Sequence, residues 1–128
     1  MAQVKIYGLD RHLQHNREKI STAIHHAVVE TLSFPPEKKF HRFIALEKEF
    51  MLFPEDKSAA YTIIEILMIA GRSVEVKKRL IKKIFEGLEG IGISNSDVEI
   101  VILESPASNW GFRGECGDEI TLGYKVKI

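Results

Sequence analysis

The sequence contains a single cysteine, Cys116, in 128 residues. That excludes an internal disulfide and removes any argument for an oxidising compartment. Net charge is missing too: 18 Lys and Arg balance 18 Asp and Glu. Without a cationic excess to neutralise phosphates, generic nucleic-acid binding is excluded. No apolar run approaches the roughly 20 residues that span a bilayer. The start, Met1-Ala2-Gln3-Val4-Lys5-Ile6, lacks the basic region and apolar stretch of a signal peptide. The expectation is a cytoplasmic protein with neither membrane nor nucleic-acid partners. Several motifs are absent as well: a phosphate-binding glycine loop, His-Glu-x-x-His, paired Cys-x-x-Cys and Gly-x-Ser-x-Gly. The five histidines do not assemble on paper. His25 and His26 are adjacent on a helix and diverge by about 100°, and His12 and His15, read as lying ahead of that helix, have no third ligand nearby. No metal and no cofactor are expected, and Cys116 reads as a small packed residue.

What is present is the composition of one globular domain, 45% hydrophobic and 28% charged, long enough to bury a real core. Apolar residues at Ile20, Ala23, Ile24, Ala27 and Val28 repeat with the period of a one-faced helix. That spacing predicts a helix from about Asn16, as its cap, to Leu32, stopped by Pro35-Pro36. A second helix follows from Val76, Leu80, Ile81, Ile84 and Leu88, with Ser73 as cap and the Gly90 and Gly92 region as stop. Its run Lys77, Lys78, Arg79, Lys82 and Lys83 reads as a solvated face. β-Branched and aromatic residues predict strands at Gln3 to Gly8, Phe40 to Glu47, Tyr61 to Ala70 and Val98 to Glu104.

The order is thus strand, helix, strand, twice over. Each half ends in a similar run, Phe43-Ile44-Ala45-Leu46-Glu47 and Ile100-Val101-Ile102-Leu103-Glu104, the mark of an internal repeat. Right-handed crossovers place both helices on one face of a single sheet. The expected class is α+β: a tandem βαβ pseudo-repeat with a four-stranded mixed sheet and two helices on one side. The first unit and its joint cover residues 1–57, the second unit 58–104, and a tail carrying an aromatic loop 105–128.

A sheet covered on one face should alternate apolar and polar residues. Ile63, Ile64, Ile66, Leu67, Met68 and Ile69 do not, and neither do Ile100, Val101, Ile102 and Leu103. Both faces are therefore expected to be covered, either by another subunit in an obligate homo-oligomer or by the tail folding back.

Two features carry candidate chemistry. In Ala70-Gly71-Arg72-Ser73 an arginine stands at the carboxyl end of a strand just before a helix. Open α/β sheets bind ligands at such ends, and a guanidinium there can hold a carboxylate. Pairing with a surface acid is the plain alternative. In Asn109-Trp110-Gly111-Phe112-Arg113-Gly114 two aromatics and a cation share a glycine-flexed loop, suited to walling a pocket or filling a subunit interface.

These residues resemble the tautomerase superfamily, which includes 4-oxalocrotonate tautomerase, macrophage migration inhibitory factor and malonate semialdehyde decarboxylase. The resemblance is greatest to the decarboxylase-like branch. It runs through the opening strand, Ala27-Val28-Val29-Glu30 before Pro35, Gly71-Arg72-Ser73, Asp97-Val98, and Asn109-Trp110-Gly111-Phe112. It implies a homotrimer and a small carboxylated ligand. It also implies an active site around an amino-terminal proline, an amine whose pKa lies close enough to neutral for a general base.

The chain departs from that pattern where it matters most, because Ala2 occupies the proline position. With Met1 removed, a primary amine stands in the same place. With Met1 kept, the amine moves up to about 3.8 Å along the backbone. Lys38, beside Glu37, stands where the decarboxylase branch has an acidic residue, and Ala70 where it has a second arginine. The resemblance therefore implies Ala2 and Arg72 as catalytic residues and Arg72, Trp110, Phe112 and Lys38 as the substrate-binding set. The activity implied is a weak or altered keto–enol tautomerisation of small 2-oxo or enol acids. The alternatives are a non-catalytic small-molecule-binding or interaction protein on the same trimeric scaffold, and a dimeric ferredoxin-like regulatory domain.

Overall fold

A computed structural model describes residues 2–128. Strand β1 (Ala2–Leu9) leads directly into helix α1 (Asp10–Leu32), followed by β2 (His41–Leu46), β3 (Thr62–Ile69), α2 (Val74–Gly90) and β4 (Val98–Ser105). A two-residue pair, β5 (Gly111–Phe112) and β6 (Glu115–Cys116), forms a small hairpin near the end. Sheet order is β2-β1-β3-β4, with β2 parallel to β1, β3 antiparallel to β1, and β4 parallel to β3. This is the tandem βαβ arrangement expected.

Alternation along β1 explains the two layers. Ala2, Val4 and Ile6 are buried with Ile64, Ile66 and Met68 of β3, and both helices lay their apolar stripes on this face. Leu13, Ile20, Ile24, Ala27, Val28 and Leu32 come from α1, and Val76, Leu80, Ile84 and Leu88 from α2. Gly87 lets the helices approach, since a Cβ there would lie 3.2 Å from that of Ala23.

One helix boundary is corrected. Helix α1 starts at Asp10, not near Asn16, and its cap residue Leu9 makes no side-chain capping bond. His12 and His15 therefore belong to the helix, and Asn16 is no cap. The Asn16 side chain donates to His12 Nδ1 at 3.1 Å and to the His12 carbonyl at 3.2 Å. The physical reason is Leu13, which lies two turns ahead of Ile20 on the same stripe and is fully buried. At α2 the reading holds: the Ser73 hydroxyl accepts from the Val76 amide at 3.2 Å. Gly92, at φ 92°, takes the left-handed turn after the helix. Of the basic run, Lys78, Arg79 and Lys82 face solvent. Lys77 reaches Glu104 at 2.7 Å and Lys83 reaches Glu30 at 3.3 Å.

The other sheet face carries Tyr7, Lys5 and Glu65, joined by a 2.8 Å hydrogen bond from Tyr7 and a 3.6 Å ion pair. Beside them run Ile63 and Leu67 of β3 and the exposed Val101 (41%) and Leu103 (45%) of β4. Tyr124 packs against Phe34, which belongs to the helix-side core.

Candidate functional site

The second strand–helix junction builds the candidate site. Strand β3 stops at Ile69, the Ala70 amide is held by the Ser105 carbonyl at 2.9 Å, and Gly71 turns the chain at φ 150°. Only a residue without Cβ takes that turn easily. Arg72 then folds inward, 5% exposed, and its Nη1 donates to the Ile69 carbonyl at 3.0 Å. Its Nε and Nη2 are buried and have no partner among the described residues. Burial pushes the guanidinium pKa down, against the opposing influence of Tyr124 and Glu104. A buried donor normally finds an acceptor, because leaving it bare costs desolvation. Nε and Nη2 together form one side of the guanidinium fork, the spacing that suits the two oxygens of a carboxylate.

Ala2 lies at this same end of the sheet. Antiparallel pairing puts it opposite Met68, in the strand and 3% exposed. Whether Met1 is kept concerns a residue outside those described. Trp110 arrives from the other side: its Nε1 donates to the Ser105 carbonyl at 3.3 Å, and Ser105 is the register partner of Ile69. Phe112 is buried and stacks on Trp110, with ring centroids 5.6 Å apart and planes at 19°. Arg113, at φ 51°, and Gly114, at φ 84°, make the turn that folds the hairpin back.

The backbone thus brings Ala2, Arg72 and Trp110 to one end of the sheet, with Phe112 carried by Trp110. Lys38 stands apart. It is half-buried in the connection between α1 and β2, where its amide donates to the Pro35 carbonyl at 3.0 Å. No side-chain bond joins Lys38 to Arg72, Trp110 or Ala2 among the described contacts.

Tyr124, in the tail, has no counterpart among the residues singled out from the sequence. Its ring meets Phe34 edge-on, centroids 4.7 Å apart, and it interacts electrostatically with Arg72. Burial raises its pKa, and the guanidinium works against that rise. Its aromatic ring among the apolar residues Ile120, Leu122, Val126 and Ile128 is the available signal.

Other polar groups are satisfied locally. Thr62 Oγ1 donates to the Ala60 carbonyl at 2.8 Å, so it accepts from His12 Nε2, also at 2.8 Å. With Nδ1 accepting from the Asn16 amide the His12 ring is neutral, and burial lowers its pKa against the opposing charge of Asp97. His41 bonds Ser21 at 2.8 Å, and burial, with Lys39 and His25 nearby, lowers its pKa to about 4. A cavity of about 700 Å³ lies between α1 and α2, lined by residues including Thr22, Ala23, His26 and Gly87, away from Arg72. Among the described residues no group of His, Cys, Asp and Glu is placed to hold a metal ion. No helix among them is long and apolar enough to cross a membrane.

Comparison with known proteins gives a consistent picture. Residues 38–113 match a family described as tautomerase enzyme. A 2-hydroxymuconate tautomerase from Comamonas testosteroni is 37% identical over 57 residues, 44% of this chain and 90% of that protein. The Pseudomonas putida protein of the same name has the same identity and coverage. Among solved structures, an FG41 malonate semialdehyde decarboxylase inhibited by 3-bromopropiolate is 30% identical. It superposes with a TM-score of 0.78 over 86% of this chain and 88% of its own. A fused 4-OT solved as an asymmetric trimer shares the fold at 19% identity, TM-score 0.79, over 91% of this chain and 96% of its own.

Proposed function

From the premise that the chain belongs to the tautomerase family, whose model spans more than half of it, we propose that it binds small 2-oxo or enol carboxylic acids and interconverts their keto and enol forms. One observation carries this reading: the buried Arg72 guanidinium with Nε and Nη2 unpartnered. In this reading the ligand carboxylate takes those two donors. The Trp110 and Phe112 rings, stacked beside the end of β4, wall the pocket, and Lys38 approaches from the α1–β2 connection.

The reaction needs one base. The α-amine of Ala2, freed by loss of Met1, takes a proton from the carbon next to the carbonyl. The C–H electron pair moves into a C=C bond, the carbonyl electrons move onto oxygen, and the ammonium returns the proton to oxygen or to a distal carbon. Arg72 stabilises the enolate-like charge as it develops. No metal or cofactor takes part. The scaffold is a cytoplasmic homotrimer in which the apolar strip of Ile63, Leu67, Val101 and Leu103 is covered by neighbouring copies, and the chain acts as one domain of two βαβ units and a tail. Supporting the trimer, a fused 4-OT of the same fold was solved in that state.

A second reading is favoured by Ala2 itself, a non-proline residue buried within the strand: the pocket binds the acid and performs no chemistry. Intact mass of the untagged protein together with an enol-ketonisation assay decides. A chain starting at Ala2 that accelerates ketonisation supports catalysis. A chain that keeps Met1, binds a 2-oxo acid and leaves ketonisation at the solution rate makes it a binding protein.

A further inference from the structure

The two open donors of Arg72 pose a problem of access. Each has less than 1 Å² of accessible surface although nothing bonds it, so no carboxylate reaches them unless a covering segment moves. The tail lies at this spot. Tyr124 sits edge-on against Phe34, ring centroids 4.7 Å apart, where the Arg72 charge opposes the burial-driven rise of its pKa. Two residues on, Val126 presses on the turn that delivers Arg72: a Cβ at Gly71 would lie 2.8 Å from Val126 Cγ1. Ser73, the other neighbour of Arg72, donates to the Ile128 carbonyl at 3.3 Å. Gly71 and Ser73, the two neighbours of Arg72, are therefore both in contact with the tail, and Tyr124 lies within the electrostatic reach of Arg72.

The tail is also free of regular secondary structure. From Thr121 onward it has no strand pairing and no helix. Its described anchors include the Tyr124 ring contact, the approach of Val126 to Gly71 and a long hydrogen bond to Ser73, whereas Arg72 itself stands between a paired strand and a capped helix. Segments with few buried contacts open at far lower cost than the core.

We propose that residues 122–128 form a strap that gates access to Arg72, with Tyr124 as its latch against Phe34. This rests on reading Arg72 as the carboxylate site only for what the gate admits; the gate itself is a statement about access. Closed, the strap keeps water from the guanidinium fork and strengthens any charge pair made there. Open, it admits a ligand small enough to lie between Tyr124 and the Gly71 turn.

The test reads access directly. Phenylglyoxal modifies arginine side chains, and peptide mass mapping follows Arg72 alone. Rates are compared in the full chain, in Tyr124→Ala, in Tyr124→Phe and in a chain shortened to Gly123, each checked for an unchanged melting profile. If the strap is open about a tenth of the time, its loss raises the Arg72 rate about tenfold, in the shortened chain and in Tyr124→Ala alike. Tyr124→Phe keeps the ring contact and stays near the full-chain rate. An Arg72 rate unchanged in both the shortened chain and Tyr124→Ala overturns the strap. Calorimetric titration with pyruvate and 2-oxoglutarate separates the two readings. Faster modification with no binding of either acid to any variant upholds the gate and overturns the carboxylate site.

Discussion

The two halves of the molecule make the same junction, strand into helix, in opposite ways. In the first half β1 runs into α1 at Leu9–Asp10, and the polar group buried just inside the helix, His12, has both ring nitrogens bonded. In the second half four residues, Ala70 to Ser73, separate β3 from α2, and the buried polar group they carry, Arg72, has two of its three nitrogens unbonded. Folding alone accounts for His12, whose network is closed and whose burial is compensated. It does not account for Arg72. The uncompensated guanidinium is what the proposed carboxylate ligand would satisfy.

The sharpest way to break this contrast is to remove both groups. His12→Ala leaves a cavity and an Asn16 amide that has lost one acceptor, so it is expected to cost about 2–4 kcal/mol of stability, read from denaturant midpoints. Arg72→Met should behave in the opposite manner. Removing an unpaired buried charge leaves stability equal or higher, while binding of pyruvate weakens tenfold to a hundredfold, about 1.4–2.8 kcal/mol. If Arg72→Met is as damaging to folding as His12→Ala, both groups are structural and the contrast collapses.

Part of this was legible beforehand. The strand-end position and the Gly-Arg-Ser context single out Arg72, and Ser73 reads correctly as a cap because a hydroxyl three residues ahead of Val76 is a local signal. The four strands are in place to within two residues at their ends, the usual fraying of such boundaries. The first two turns of α1 were not legible. Gln14, His15, Asn16, Arg17 and Glu18 present only polar groups, and Leu13 alone continues the buried stripe. The open fork of Arg72 was hidden for a different reason. Beside it the tail meets Ser73 from 55 residues away, and sequence spacing carries no trace of such a contact.

Titration sharpens the comparison within the first half. Burial lowers the His41 pKa to about 4 from the ordinary 6.5. The unfolded chain therefore binds a proton that the folded chain refuses. Above pH 6.5 both states are neutral and the native state loses nothing. As pH falls from 6.5 towards 4, stability declines, and below about 4 this group adds no further loss. His12 acts in the same direction. The limiting slope is about 1.4 kcal/mol per pH unit, reduced because His41 is only partly buried, so a total of about 1–2 kcal/mol is expected. His41→Gln should flatten stability against pH in this window. An unaltered slope would show that His41 is already protonated in the folded protein or solvated enough not to matter.

The smallest effect concerns the two helix starts. Ser73 accepts from the Val76 amide, so Ser73→Ala removes a cap and is expected to cost about 1 kcal/mol. Ser73→Asp restores the acceptor and adds a negative charge at the positive end of the helix, so it should recover most of that stability although it cannot donate to Ile128 as Ser73 does. At the matching position Leu9 makes no side-chain capping bond. Helix α1 is held by its packing from Leu13 onward, whereas α2 also depends on a local bond beside Arg72. Equal melting points for Ser73→Ala and the parent would mean that packing alone holds both starts, and that Ser73 serves the tail rather than the helix.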